Sequence, residues 1–300
     1  MPPIAIIGAG LMGHGIAQVF ALAGHDVRIF DPSASVLSSV HQRIAGNLAT
    51  LGQSQDSVRQ VSLHEQLGTA VTDAHFVFEC GPEDLTLKQA IFAEIEASAS
   101  GTAILASNTS VIPITAITDR LRDGARALGT HWWNPPYLIP LVEVIRTART
   151  SEQSLDKILA LLQSVGKTPV RVERDVPGFV GNRLQHALWR EAIALVQDGI
   201  CDARTVDTVV KASFGRRLAV LGPLENADLV GTDLTLAIHD TVLPHLNRSE
   251  VALPLLRQLV AEGKLGMKSG EGFQRWSPAD RAEISARVLR HLQRLETDVS

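Results

Sequence analysis

The chain opens on Ile4-Ala5-Ile6-Ile7, an apolar run of strand length that ends at a glycine. Gly8 to Gly13 then reads as a glycine-rich turn, and Ile16–Ala23 as a helix stopped by Gly24. Val27-Arg28-Ile29-Phe30 predicts a second strand, closed by Asp31-Pro32. Helical spacing follows over Ala34–Leu51 and Asp56–Gln66. Further strands are expected at Phe76–Glu79, Ala103–Ala106, Ala127–Gly129, Leu141–Ile145 and Pro169–Val172. Helices are expected between them at Thr86–Ala97, Ile112–Arg120 and Ser151–Val165. Strands alternating with amphipathic helices imply a parallel sheet covered on both faces.

The pattern changes at Val176-Pro177-Gly178, a cluster that breaks regular structure. A domain boundary is expected there, giving an α/β domain over residues 1–175 and a second domain over 176–300. The second stretch shows no strand pattern. Asn182–Asp198, Asp202–Ala212 and Asp233–Leu246 read as amphipathic helices, and Pro278 sits in the first turn of a last one. Two domains suit a chain of 300 residues.

Composition narrows the function classes. Hydrophobic residues make up 45% and charged residues 20%, an ordinary globular balance, and the net charge of −4 provides no basic field for nucleic acid. Ile4–Ala23 is mostly apolar, but glycines and His14 interrupt it and no basic segment precedes it, so neither a signal peptide nor a membrane anchor is expected. Cys80 and Cys201 show no metal-ligand spacing, and no metal is expected; so sparse a cysteine content fits a reducing, cytoplasmic compartment. Arginine outnumbers lysine 22 to 6, and the first lysine is Lys88.

The first candidate chemistry is Gly8-Ala9-Gly10-Leu11-Met12-Gly13, a G-x-G-x-x-G set between a strand and a helix. The first glycine permits the turn, the second lets backbone approach a pyrophosphate, and the third lets helix and strand pack closely. Asp31 ends the next strand, 18 residues after Gly13, where a carboxylate accepts hydrogen bonds from a ribose and repels a 2′-phosphate. The set predicts NAD rather than NADP, held through Gly8, Gly10, Leu11, Met12, Gly13 and Asp31. A purely structural glycine turn is the competing reading.

The second candidate is His131, which follows a short apolar strand and precedes Trp132-Trp133-Asn134-Pro135-Pro136. Glu143 lies inside the next apolar strand, where a carboxylate needs a partner. Set side by side, Glu143 would fix the tautomer of His131 and leave the other ring nitrogen as a base. From these residues alone, a catalytic dyad and a structural pair serve equally well. Trp132 and Trp133 read either as core or as an aromatic wall beside the base.

With these residues in place, the sequence resembles the L-3-hydroxyacyl-CoA dehydrogenase family over nearly its whole length. The matches are Gly8–Gly13, Pro82-Glu83-Asp84-Leu85 with Lys88, Ala106-Ser107-Asn108-Thr109-Ser110, His131 with Asn134-Pro135, Leu141-Val142-Glu143-Val144, and Pro177-Gly178-Phe179 with Asn182-Arg183. Gly222-Pro223-Leu224-Glu225, Asp228-Leu229-Val230-Gly231 and Lys268-Ser269-Gly270-Glu271-Gly272-Phe273 complete them. The resemblance implies a Rossmann-like N-terminal domain and an all-α C-terminal domain that forms a homodimer. It implies His131 as general base, Glu143 as its orienting partner, and Ser110 and Asn182 as substrate contacts. It also places Glu83, Lys88, Ser110, Asn134 and Lys268 at the cofactor.

Two departures bear on the substrate. CoA-using members of the family carry lysines after the second strand that meet the CoA phosphates. Ser33–Gln66 here holds no lysine and only Arg43 and Arg59. Phe214–Pro223 also looks more like the gulonate dehydrogenase/lambda-crystallin branch, which acts on small free acids and has an arginine at the position of Arg217. An arginine there suits bidentate binding of a substrate carboxylate. The sequence therefore points to NAD-dependent oxidation of a small 3-hydroxy acid. An L-3-hydroxyacyl-CoA substrate is the alternative, with a ring-bearing alcohol or aldehyde acid and a non-catalytic, crystallin-like role as further readings.

Overall fold

The computed structural model describes residues 1–297. Their compact units are Met1–Asn182, joined by the segment from His291 on, and Arg183–Arg290. The first unit is built on strands β1 (Ile4–Ile7), β2 (Val27–Phe30), β3 (Val61–His64), β4 (Phe76–Glu79), β5 (Ile104–Ser107), β6 (Ala127–Trp132), β7 (Leu141–Ile145) and β8 (Thr168–Val172). They form one sheet in the order β3-β2-β1-β4-β5-β6-β7-β8. Its helices are α1 (Leu11–Leu22), α2 (Ala34–Ser38), α3 (Val40–Thr50), α4 (Leu67–Val71), α5 (Leu85–Ser98), α6 (Ile114–Thr118) and α7 (Glu152–Ser164).

Strand periodicity explains the two layers. Ile4 and Ile6 face a core that includes Ile16 and Phe20 of α1, Ile44 and Leu48 of α3, and Leu155 and Ile158 of α7. Ala5 and Ile7 face the opposite core, with Leu67 of α4, Phe92 and Ile95 of α5, and Ile117 of α6. All four β1 residues are buried, as in a sheet covered on both sides. The architecture is the expected Rossmann-like α/β fold.

Three local expectations are corrected. Asp56–Gln66 is not a helix: a 3-10 turn over Gln55–Gln60 leads into β3, whose Val61 and Leu63 pack inward. The helix expected over Ala34–Leu51 is two helices that meet at Ser39, whose hydroxyl donates to Val36 O (2.7 Å). The sheet is not wholly parallel, because β7 runs antiparallel to β6. The short Trp133–Pro140 link is too short for a crossover, so the chain turns straight back.

The second unit contains most of α8 (Gly181–Gln197), then α9 (Ala203–Ala212), α10 (Pro223–Val230), α11 (Thr232–Val242), α12 (Pro254–Ala261) and the start of α13 (Pro278–Thr297). The helices α10 and α12 begin at prolines and escaped the sequence reading. Asp202 caps α9 through Thr205 N (2.7 Å). No strand forms here among the described residues; Glu271 makes isolated bridges to Gly266 and Arg275. Ala194 and Leu253 are this unit's buried hydrophobics, whereas Val220, Leu224 and Leu229 are 88%, 80% and 74% exposed. Both cysteines are unpaired, and among the described residues no helix is long and apolar enough to cross a membrane.

Candidate active site

The glycine loop has the shape its sequence requires. Gly8 adopts φ +105°, and a Cβ there would lie 2.7 Å from Cys80 O. A Cβ on Gly13 would lie 1.8 Å from Gly8 O, so helix and loop touch only because it is absent. A Cβ on Gly10 would meet nothing within 4 Å, which leaves the phosphate-facing side of the loop open. Gly10 is the N-cap of α1 and has no side-chain cap, so the first amides and the positive end of the helix dipole are available to an anion. Asp31 Oδ2 accepts from Ala9 N (2.8 Å) and Oδ1 from Ser33 N (2.9 Å), which fixes the carboxylate beside the loop. Leu11 is exposed and Met12 half-buried at the start of the helix. An open cradle of amides with an acid at its edge fits NAD.

His131 and Glu143 are directly opposed in the antiparallel β6–β7 ladder, so their side chains share one face. His131 Nδ1 lies 2.8 Å from Glu143 Oε2, and both side chains are almost fully buried. The other carboxylate oxygen accepts from Val180 N (2.8 Å) and Gly181 N (3.1 Å). Burial by itself raises the Glu143 carboxyl, but bonds from His131 and from the Gly181 and Val180 amides outweigh it and hold the group below the usual carboxylate range. An ionised Glu143 makes Nδ1 the donor and leaves Nε2 as the free base. The donating amides come from a tight turn in which Gly178 and Phe179 have φ of +76° and +50°. A left-handed phenylalanine is costly, and complete burial of its ring against Ile114, Ile145 and Val172 offsets that strain.

A belt of hydrogen bonds joins the ends of β4, β5 and β6. Glu79, fully buried at the end of β4, accepts from Lys88 Nζ (2.7 and 2.9 Å), Ser107 Oγ (2.7 Å) and Gly81 N (2.7 Å). Lys88 Nζ also donates to Gly81 O (3.2 Å). Lys88 is therefore not a solvated helix lysine but part of a buried ion pair, with its ammonium directed at Glu79 and the Gly81 carbonyl. Glu83 accepts from Thr109 Oγ1 and Ser110 N, both at 2.6 Å. Asn108 N donates to Glu79 O (2.8 Å), and its side-chain oxygen accepts from Trp132 N (3.0 Å). Asn182 Nδ2 donates to Ser110 O (2.8 Å). Thus Ser110, Asn182, Glu83, His131 and Glu143 all belong to one connected region of the α/β unit.

The two tryptophans part company. Trp132 is buried with Phe20 and Phe78, as a core residue. Trp133 packs on the His131 ring at 5.1 Å between centroids, with Phe179 on the same imidazole at 5.5 Å. Asn134 is exposed in the loop that follows. Arg217 and Lys268 lie in the helical unit. Arg217 follows the 3-10 turn Phe214–Arg216 with its guanidinium exposed, and Lys268 lines a cavity of about 1250 Å³ bordered by α8, α9 and α12. Glu79, Ser107, Asn108 and Arg43 carry structure around the site that sequence reading did not assign.

An open dinucleotide cradle beside a buried histidine–carboxylate pair defines a Rossmann-type dehydrogenase. Residues 3–176 match the 3-hydroxyacyl-CoA dehydrogenase NAD binding domain, and residues 178–276 match the 3-hydroxyacyl-CoA dehydrogenase C-terminal domain. The chain belongs to the 3-hydroxyacyl-CoA dehydrogenase family and is an NAD-dependent oxidoreductase. It is 34% identical over 294 residues to 5-formyl-3-hydroxy-2-methylpyridine 4-carboxylate 5-dehydrogenase of Mesorhizobium japonicum, covering 96% of this chain and 95% of that protein. A crystal structure of an enzyme of that activity, described as an NAD+ dependent dismutase, superposes with a TM-score of 0.91 at 32% identity, covering 99% of this chain and 97% of the other. The structure of (S)-3-hydroxybutyryl-CoA dehydrogenase from Ralstonia eutropha superposes with a TM-score of 0.76 at 30% identity, covering 92% and 99%.

Proposed function

We propose that this enzyme oxidises the 3-hydroxyl of a small, free 3-hydroxy acid to the ketone. The observation that carries the choice of substrate is the state of the cations in Ser33–Gln66. Arg43 is directed at the carbonyls of the glycine loop, and Arg59 pairs with Asp56 at 3.4 Å. That stretch has no lysine to add, and CoA phosphates need cationic or oriented N–H partners. The likeness to a pyridine carboxylate dehydrogenase supports a free acid.

In this reading His131 Nε2 takes the hydroxyl proton, and ionised Glu143 stabilises the imidazolium that results. Ser110 and Asn182 orient the substrate oxygens, and Arg217 binds its carboxylate. NAD, when bound, supplies the hydride acceptor. The glycine loop, Asp31, Glu83, Asn134 and Lys268 hold the cofactor, with Lys88 acting on it through Glu79 and Gly81. Trp133 beside His131 favours a second reading within the same chemistry, a ring-bearing acid. The helical unit pairs with a second copy to make a homodimer, and the setting is cytoplasmic.

Steady-state kinetics on 3-hydroxybutyrate and its CoA ester, followed by NADH absorbance, tests the choice. A higher kcat/KM for the free acid is expected, and a strong preference for the thioester overturns it. Tight NAD binding with no turnover on a broad hydroxy-acid panel would favour the crystallin-like role.

A further inference from the structure

Arg43 lies on α3, 34 residues from Ala9, yet its guanidinium reaches the cofactor loop. Nη2 donates to Ala9 O (2.5 Å) and Val36 O (3.2 Å), and Nη1 to Gly10 O (3.3 Å). Nε donates to Ser39 Oγ (3.1 Å), which holds the fork in place from its own helix. His14 Nδ1 meets Gly10 O at 2.7 Å and lies 3.1 Å from Arg43 Nη1. Burial lowers the His14 pKa, so the ring is a neutral neighbour rather than a competing charge.

The consequence follows from peptide geometry. In a trans peptide the carbonyl of one residue and the N–H of the next point in opposite directions. Drawing the Ala9 and Gly10 carbonyls toward α3 turns the Gly10 and Leu11 N–H groups away from it. Asp31 fixes the preceding amide by accepting from Ala9 N. Asp31 thus sets the Ala9 N–H and Arg43 the Gly10 N–H, while at Gly10 O the guanidinium adds to the bond from His14 N (3.3 Å) that already orients the Leu11 N–H. The same guanidinium adds a fixed positive charge to a helix N-terminus already suited to anions.

We propose that Arg43 is a positioning residue for the dinucleotide: it aligns the amides of the glycine loop that receive the pyrophosphate. This holds whichever hydroxy acid the enzyme uses. A lysine cannot replace it fully, because one ammonium cannot span both carbonyls and Ser39 in the geometry of a planar fork.

The test measures NAD and ADP-ribose affinity by calorimetry for wild type, Arg43→Lys and Arg43→Met, together with kcat at saturating NAD. Arg43→Met is expected to weaken both ligands by the same factor, about 10- to 100-fold, the range of lost charge-assisted hydrogen bonds. Arg43→Lys falls between it and wild type and remains informative if Arg43→Met fails to fold. In both variants kcat at saturating NAD stays within about threefold, since no bond to the reacting atoms changes. Unchanged affinity in Arg43→Lys, or a fall in kcat as large as the fall in affinity, overturns the proposal.

Discussion

The α/β unit and the helical unit solve the problem of burial differently. In the first, every residue of β1, β4 and β5 is buried, and two apolar layers enclose the sheet. In the second, none of the residues of α9 to α12 is buried, although these helices carry leucines and valines at helical spacing. Helices draw most of their stability from packing an apolar face. The α/β unit therefore contains its own core, whereas the helical unit leaves apolar side chains of these helices exposed. The same contrast marks the chemistry. The loop, the acid and the histidine–carboxylate pair are positioned by strand register and buried hydrogen bonds within the first unit.

The largest expected effect breaks the comparison in the helical unit. Replacing Leu224 and Leu229 together by glutamate should convert the proposed dimer to monomer in sedimentation equilibrium, because charges are excluded from such a contact. NAD affinity should survive, since the loop belongs to the other unit. A native chain already monomeric at micromolar concentration would contradict the pairing.

Within the α/β unit, Glu143→Gln should lower kcat by about 100-fold with little change in NAD affinity, as for loss of a general-base partner. The pH dependence of stability has a definite sign. Glu143 is held below the ordinary 4.5, so its bonds contribute fully above that pH and are lost as pH falls through the lower folded value. The difference in Tm between wild type and Glu143→Gln should therefore shrink on acidification below about pH 4.5. A difference that grew would reverse the assignment. The smallest effect belongs to the loop's edge: Asp31→Ala should weaken NAD about tenfold and narrow its advantage over NADP. Binding isotherms for both nucleotides check this, and unchanged discrimination would refute the role of Asp31.

Features set by neighbours in sequence were the legible ones. The β1–glycine loop–α1–β2–Asp31 run is read directly, because each step depends on local conformation. The pairing of His131 with Glu143 is a legible candidate because a carboxylate inside an apolar strand needs a partner, whereas the antiparallel turn that sets them opposite each other is not read from the sequence. The strand β3 escaped because Ser62 and His64 interrupt an edge strand of four residues, so its apolar signal is weak. The distinction between Trp132 and Trp133 depends on where β6 ends: Trp132 is its last residue and packs on Phe20 and Phe78, whereas Trp133 begins the link and lies against His131. Lys88 and Arg43 were least legible. Their partners, Glu79 and the Ala9–Gly10 carbonyls, are chosen by folding across the sheet and leave no local pattern.

The central claim is that His131 moves the proton in a site whose cofactor cradle is independent of it. The most direct test measures NAD affinity and single-turnover NADH formation on the same His131→Gln preparation. Affinity within about twofold of wild type, with turnover reduced by about 10²- to 10⁴-fold, is the predicted result. Near-normal turnover would show that another group is the base and contradict the account.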